Sequence, residues 1–589
     1  METILHALEQ QFSAAIKRAF DSQLSHDSEL LRAEMTQSTQ PQFGHYQCNN
    51  ALKIAKELKK NPREVAQQIL QAVKGCQEEG APTLSHLEIA GPGFINISID
   101  PFFLSKQTTE LLRDKRLGVP LPARKERVIV EYSSPNIAKE LHVGHLRSTI
   151  IGDALARLFE FLGHDVLRLN HIGDWGTQFG MLIAYMQEFA PDVLQGVTEV
   201  DLPQLMHWYR EAKKKFDEDP EFKKRSQLQV VKLQGGDPAS LKAWEAICAI
   251  SRKAFSEIYQ LLDVSLTERG ESFYNPFLSE VIKDLEQKGL IRISDGAKCI
   301  FLEGFTNRDG TILPMIVQKS DGGYNYDTTD MAAIRHRVAV EKADRIIIVT
   351  DAGQSLHFAM LFKAAEQAGY YDPKKVRVDH VPFGVVLGAD GKKFKTRSGE
   401  TEKLADLLTE AIHQAKIIMS ERMPDVEEQE LNRLSQILGI DAVKYADLSC
   451  HRVKDYIFSY ERMLKFEGNT AAFLLYAYVR IQGIKRKVGL DVQHVSEENE
   501  IVLEHPSEIA LALHLRQFGE TLELMARDLL PNRLCDYLYA LAEKFHAFFR
   551  DCRVEGTPQE KSRFLLCEAT GRILERGLSL LGLKTLDRM

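Results

Sequence analysis

The chain has 589 residues, a formal net charge of −8, 44% hydrophobic residues and 27% charged residues. That length suits roughly three or four domains, and the composition is that of a globular chain rather than a disordered or fibrous one. No apolar run approaches the roughly 20 residues needed to span a bilayer. The start of the chain has no basic segment leading into an apolar core, and its eight cysteines are scattered without a C-x-x-C. The sequence therefore argues against a membrane span, a secretory signal, a disulfide framework or a zinc site, and for reduced thiols in a cytoplasmic setting.

Residues 1 to about 115 alternate helical stretches with a short strand near Gly93–Ser98 and a polar, aromatic loop at Pro41–Asn50. Leu117-Gly-Val-Pro-Leu-Pro-Ala reads as a linker, because two prolines and a glycine suit neither a helix nor a strand interior. The β-branched run Arg127–Tyr132 then reads as a buried parallel strand, and Leu146–Leu162 has helical apolar spacing. Between them lies Ser134-Pro-Asn-Ile-Ala-Lys-Glu-Leu-His-Val-Gly-His145. Two histidines and a glycine thus stand at a helix N-terminus, where free N–H groups and a partial positive charge attract phosphate. Gly144 allows close backbone approach, and His142 and His145 can donate to phosphate oxygens in a transition state. Four residues of this kind could also be mere helix caps.

Strand-like runs recur at 166–169, 345–350 and 381–387, separated by helices. That alternation implies a doubly wound parallel sheet, whose ligands bind at the carboxyl ends of its strands. The stretch from about 185 to 300 reads as a largely helical, charged insertion to which the sequence attaches no chemistry. After the last run, Lys392, Lys393, Lys395 and Arg397 fall within six residues, beside Gly388, Gly391 and Gly399. Cationic loops of this type can close on a triphosphate and stabilise departing pyrophosphate. From about 400 onward the pattern is helical, with a break at Leu529–Asn532 where Pro531 cannot sit inside a helix. Residues 452–487 carry eight Lys or Arg against three Asp or Glu, interleaved with aromatics. Such a patch can hold phosphates and stack bases despite the negative total charge.

Together these segments resemble the paired signatures of class I aminoacyl-tRNA synthetases. His142-Val-Gly-His145 is similar to the HIGH motif, and Lys393-Phe-Lys-Thr-Arg397 to a degenerate KMSKS loop. More narrowly, the chain resembles the arginyl-tRNA synthetase family. The words that carry this are Ser133-Ser-Pro-Asn-Ile-Ala-Lys139, Asn170-His-Ile-Gly-Asp-Trp-Gly-Thr-Gln178, Tyr326-x-x-x-Asp330, Thr350-Asp-Ala-Gly-Gln-Ser-Leu-His-Phe358 and Gly468-Asn-Thr470. One departure is Thr396, which stands where the motif has its second lysine; in the family a lysine upstream of HIGH, here Lys139, is thought to compensate.

The resemblance implies an α/β architecture. It divides into an α+β N-terminal domain (1–115) that contacts tRNA, a Rossmann-type catalytic domain (116–400), a stem-contact connector (401–467) and an all-α anticodon-binding bundle (468–589). It implies ATP-dependent arginyl-adenylate formation with Mg²⁺, then transfer to tRNA(Arg), initially at a terminal 2′-hydroxyl, by a monomeric enzyme that often needs bound tRNA to activate arginine. His142, His145, Lys139, Lys393 and Lys395 would act on the phosphates, with Gly144 and Gly173 making room for adenosine. Glu131, Ser134, Asn136, Tyr326, Asp330 and Gln354 would hold arginine, and His171 and Asp174 would orient the site. Phe43, Tyr46, Gln47, Tyr476 and Arg480 are the tRNA-binding candidates. The alternatives are a small H-x-G-H adenylyltransferase, another class I synthetase, and an RNA-binding relative that has lost catalysis. The first is far shorter than this chain, and the last predicts damaged motifs.

Overall fold

In the computed structural model, which describes residues 2–38, 40–74, 82–307, 309–392, 394 and 403–589, five strands form the sheet that carries the site. They are β1 (Arg127–Glu131), β2 (Asp165–Asn170), β3 (Thr267–Glu268), β4 (Arg345–Asp351) and β5 (Arg377–Phe383). All neighbours pair in parallel, in the order β5-β4-β1-β2-β3. Val128, Ile129 and Val130 are fully buried, as expected for a central strand covered on both faces. The chain winds outward from β1 to β3, then returns to lay β4 and β5 on the other side. The order therefore reverses between β1 and β4, and the crevice at their carboxyl ends is the natural ligand site of such a sheet.

Helix α1 (Val143–Leu162) follows β1. Its Gly152 rests on Tyr132: a Cβ there would lie 2.2 Å from the ring, so only glycine allows the helix this close to the sheet. Two more helices frame the crevice, α2 (Tyr326–Ala339) before β4 and α3 (Ser355–Gln367) after it.

The expected strand at 381–387 divides. β5 ends at Phe383, and Val386–Leu387 pairs instead with Tyr456–Ile457. The cause is a tight turn at Gly384, whose N–H donates to the Arg452 carbonyl at 2.8 Å, while Val385 N–H donates to Asp455 at 2.6 Å. The insertion is helical as expected over Leu202–Glu218, Pro220–Gln234 and Pro238–Leu261, each opened by an aspartate cap (Asp201, Asp219, Asp237) with proline in the first turn. It is not helical to residue 300, however. Thr267–Glu268 returns to the central sheet, and Ile291–Ser294 begins a three-stranded antiparallel sheet with Ala297–Thr306 and Ile312–Gln318.

The N-terminal region holds a four-stranded antiparallel sheet built from Met35–Gln37, Tyr46–Cys48, Leu84–Ala90 and Phe94–Ile99. The C-terminal region is helical, and Leu529 and Pro531 separate Phe518–Asp528 from Asn532–Asp551. The two regions meet at Tyr46, which is fully buried and donates to Glu520 Oε1 at 2.9 Å. This corrects the expectation that Tyr46 offers its ring to tRNA: it is an interdomain hydrogen-bond donor with no exposed face. Among the described residues no helix is long and apolar enough to cross a membrane.

Candidate active site

The loop from β1 into α1 carries the first signature. Gly144 N–H donates to His142 Nδ1 at 3.0 Å, and His142 N–H donates to His145 Nδ1 at 3.1 Å. The two imidazoles thus cap the helix reciprocally, with ring centroids 4.0 Å apart. Capping and catalysis are not alternatives here. Because each Nδ1 accepts, the neutral rings carry their proton on Nε2 and keep one donor. Burial, reinforced by His142 and Lys139, pushes the His145 pKa down to about 3, so this ring is a neutral donor at any working pH. The room at Gly144 is used by His142 itself, since a Cβ would lie 2.9 Å from Cε1.

Lys139 lies exposed in the same loop. Lys393 and Lys395 lie outside the described residues. The base of their loop is nonetheless tied to α1. Arg147, two residues after His145 and almost wholly buried, donates to the Gly384 carbonyl at 2.7 Å and pairs with Asp447 at 3.0 Å.

The loops after β2, β3 and β4, together with α2, bring acidic groups together. Asp330 Oδ2 lies 2.7 Å from His357 Nε2, and Asp327 Oδ1 lies 3.1 Å from His357 Nδ1. These two carboxylates stand one helical turn apart on α2 and grip one imidazole of α3 from both ends. Burial opposes charge on His357, but the hydrogen bonds it donates to Asp327 and Asp330 outweigh it and raise its pKa to about 9. His171 Nε2 stands 3.8 Å from the other Asp330 oxygen, and its buried Nδ1 has no hydrogen-bond partner among the described residues. Glu271 follows β3; burial, then repulsion from Asp330 and Asp174, raises its pKa to about 8. A carboxyl kept protonated by burial and by neighbouring carboxylates marks a pocket suited to a cation.

Asp174 builds the frame of this pocket. It accepts Ser272 N–H at 2.8 Å and Ser272 Oγ–H at 2.7 Å, fixing the turn that presents Glu271. Tyr326 is 58% exposed at the rim, its ring 5.1 Å from that of His357, and Gln354 is exposed at the start of α3. Ser134 and Asn136 sit at the mouth between β1 and β2. Ser134 N–H donates to Asn170 Oδ1 at 2.9 Å. The Asn136 carboxamide occupies the space a side chain at 173 would need, 2.0 Å from the Cβ position, so Asn136 requires glycine at 173. Glu131 differs from the expectation as well: it is buried in a 2.6 Å ion pair with Arg337 of α2 and joins β1 to that helix.

Sequence reasoning missed Glu271, Asp327 and His357. His357 stood in plain view inside the Thr350–Phe358 word, and Asp327 lies beside Tyr326. Glu271 gave no signal, because it follows a two-residue strand within what read as the insertion.

The remaining candidates lie far from this crevice. Phe43 is 39% exposed, and Gln47 donates to Asn96 at 2.9 Å. On the helix Ala471–Val488, Arg480 donates to Tyr476 OH at 2.8 Å and stands over the rings of Tyr476 and Phe549, at 4.7 and 5.1 Å.

A parallel sheet with its switch point between β1 and β4, capped by the paired histidines and followed by a helical domain, defines a class I aminoacyl-tRNA synthetase. The family model described as "tRNA synthetases class I (R), catalytic domain" matches residues 107–460, the "DALR anticodon binding domain" residues 474–589, and the "Arginyl tRNA synthetase N terminal domain" residues 6–99. The chain belongs to the arginyl-tRNA synthetase family. It is 62% identical to the arginine–tRNA ligase of Protochlamydia amoebophila over 589 residues, covering all of both chains, and 52% identical to that of Chlamydia abortus over 95% of this chain and 96% of the other. The crystal structure of Plasmodium falciparum arginyl-tRNA synthetase superposes with a TM-score of 0.86 at 34% identity, covering all of both chains.

Proposed function

We propose that the crevice joins L-arginine to ATP as arginyl-adenylate, releasing pyrophosphate, and passes the arginyl group to tRNA(Arg), releasing AMP. The observation that carries the specificity is the pairing of Asp327 and Asp330 with His357, with Glu271 close enough to Asp330 to be repelled by it. A planar, permanently charged guanidinium satisfies several carboxylate oxygens at once, whereas an ammonium presents one point charge. Asp330 takes the guanidinium, with Tyr326 over it, while Ser134, Asn136 and Gln354 serve the polar groups of the substrate. Glu131 contributes through Arg337.

No side-chain nucleophile is required, because the substrate carboxylate attacks the α-phosphate. Catalysis is positioning plus charge stabilisation. His142 and His145 donate from Nε2 to oxygens that gain charge in the transition state, and Gly144 keeps the helix start close. Lys139, Lys393 and Lys395 neutralise the departing pyrophosphate. Mg²⁺ arrives with ATP as the metal–nucleotide substrate, the acidic groups at the described site being committed to one another and to the cation pocket.

Phe43 and Gln47 on the N-terminal region, and Tyr476 and Arg480 on the helical bundle, are the tRNA contacts, with residues 401–467 against the stem. The enzyme works as a cytoplasmic monomer and activates arginine only with tRNA bound; full ATP–pyrophosphate exchange without tRNA would sink that last point. The deciding experiment is aminoacylation of total tRNA with arginine, lysine, glutamine and cysteine, wild type beside Asp330→Ala. Arginine-only charging that collapses in the variant is expected. Charging with another amino acid overturns the specificity, and no charging with intact tRNA binding overturns the catalysis.

A further inference from the structure

The backbone between β1 and α1 is strained. Ser133, Ser134 and Ala138 all have positive φ, at 69°, 45° and 59°. None is a glycine, and each holds a backbone conformation that side chains disfavour. A loop with three of them in six residues keeps that shape only if its surroundings over-determine it. This loop carries Ser134 and Asn136 at the mouth of the pocket and leads through Lys139 to His142, so its shape sets the spacing between the two halves of the reaction.

The groups that hold it come from two sources. Some belong to the sheet domain itself: Ser148 Oγ accepts Ser133 N–H at 2.9 Å, Asn170 Oδ1 accepts Ser134 N–H at 2.9 Å, and the backbone of 135–137 bridges to Gly173, Ile137 N–H donating to its carbonyl at 3.1 Å. The others belong to the insertion helix Pro238–Leu261. Ser251 Oγ accepts the buried N–H of Ala138 at 3.0 Å. Tyr259 OH lies 2.8 Å from Ser133 Oγ and accepts from Asn170 Nδ2 at 3.2 Å. Between the phenol and Ser133 either hydroxyl can be the donor, and either arrangement holds the pair together. Burial raises the Tyr259 pKa to about 12, so the phenol proton is present throughout the working range. The helix is itself pinned to the site along the same side: Trp244 Nε1 donates to the Asp174 carbonyl at 2.7 Å, and Arg252 pairs with Glu268 of β3 at 2.7 Å.

We infer that Tyr259 and Ser251 are positioning residues for adenylate formation, through which the helical insertion clamps the strained β1–α1 loop in its competent shape. The insertion is then part of the catalytic frame rather than a surface addition. The inference rests on the reading given above, and the test separates the two. Arginine-dependent ATP–pyrophosphate exchange, with tRNA present, is measured for wild type, Tyr259→Phe, Ser251→Ala, Ser133→Ala and the Tyr259→Phe/Ser133→Ala pair. Melting temperature and tRNA affinity are measured on the same samples.

Tyr259→Phe keeps the ring and removes the hydroxyl's hydrogen bonds with Ser133 and Asn170. It is expected to lower kcat about tenfold, with KM for ATP and arginine within about twofold. Ser251→Ala, which leaves no sizeable cavity, is expected to act likewise should the phenylalanine variant fold poorly. The double variant should be no slower than the worse single one, because both lose the same bond. Amide exchange at residues 133–139 should quicken while that of Val143–Leu162 does not. Folded variants with wild-type kcat, losses that multiply in the pair, or losses that follow melting temperature and tRNA affinity would overturn the clamp. A wild type silent with arginine would instead overturn the functional reading.

Discussion

His145 and His357 occupy the same end of one sheet and are tuned in opposite directions. Burial beside His142 and Lys139 holds His145 neutral, with a pKa of about 3, whereas hydrogen bonds donated to Asp327 and Asp330 overcome burial and hold His357 charged, with a pKa raised to about 9. The residue type is the same and both are largely enclosed, so the neighbours decide. On the phosphate side a neutral Nε2–H donor suffices, since Lys139 already supplies charge nearby. On the amino-acid side a cationic imidazole keeps two carboxylates one turn apart from repelling each other and fixes one face of Asp330. The comparison teaches that one residue type serves two purposes in one crevice: His145 is held as a neutral donor and His357 as a cation balancing two carboxylates.

The sharpest way to break this picture is at Asp330. Asp330→Ala should lower kcat/KM for arginine by about 10³-fold, because it strands both the guanidinium and His357; steady-state charging at varied arginine checks it. Next comes His145→Ala, which removes the neutral donor and half of the reciprocal cap. Exchange should fall by about 10²-fold in kcat with little change in KM for arginine, and His145→Gln, whose amide nitrogen can stand in for Nε2, should recover part of that loss. A large KM effect instead would erase the division between the halves.

His357→Gln keeps hydrogen bonding and loses charge, so KM for arginine should rise by about tenfold with kcat nearly intact. It also carries a sign. A folded pKa above the ordinary histidine value means the imidazolium stabilises the fold fully below about pH 6.5, and that contribution is lost as pH rises through about 9. Melting temperatures between pH 7 and 10 should therefore fall more steeply for wild type than for His357→Gln.

Glu271 gives the smallest effect. Its carboxyl is protonated in the empty pocket below about pH 8. A guanidinium favours the ionised form, so binding releases a proton. KM for arginine should fall by at most tenfold per unit as pH rises toward 8, then level off, and Glu271→Gln should flatten that slope. Calorimetry in two buffers of different ionisation enthalpy reads the released proton directly.

Much of this was legible in the amino-acid order. β1, β2 and β4 coincide within a residue with apolar runs at 127–131, 166–169 and 345–350, because a strand covered on both faces must be apolar throughout. The capped start of α1 was legible as well, since a helix N-terminus is local chemistry. Asp330, Tyr326 and Gln354 were nameable because they sit in words whose residues are close in sequence.

What the sequence could not decide is pairing between distant segments. Thr267–Glu268 is too short to show a period, yet its place beside β2 delivers Glu271 to the pocket. Tyr46 looks like a surface aromatic until Glu520, 474 positions away, buries it. Nothing local to Tyr259 hints at Ser133, 126 positions earlier. Local sequence sets which backbone conformations and which donors are available; only the tertiary structure decides which of them meet, because burial and electrostatics depend on distance in space and not along the chain.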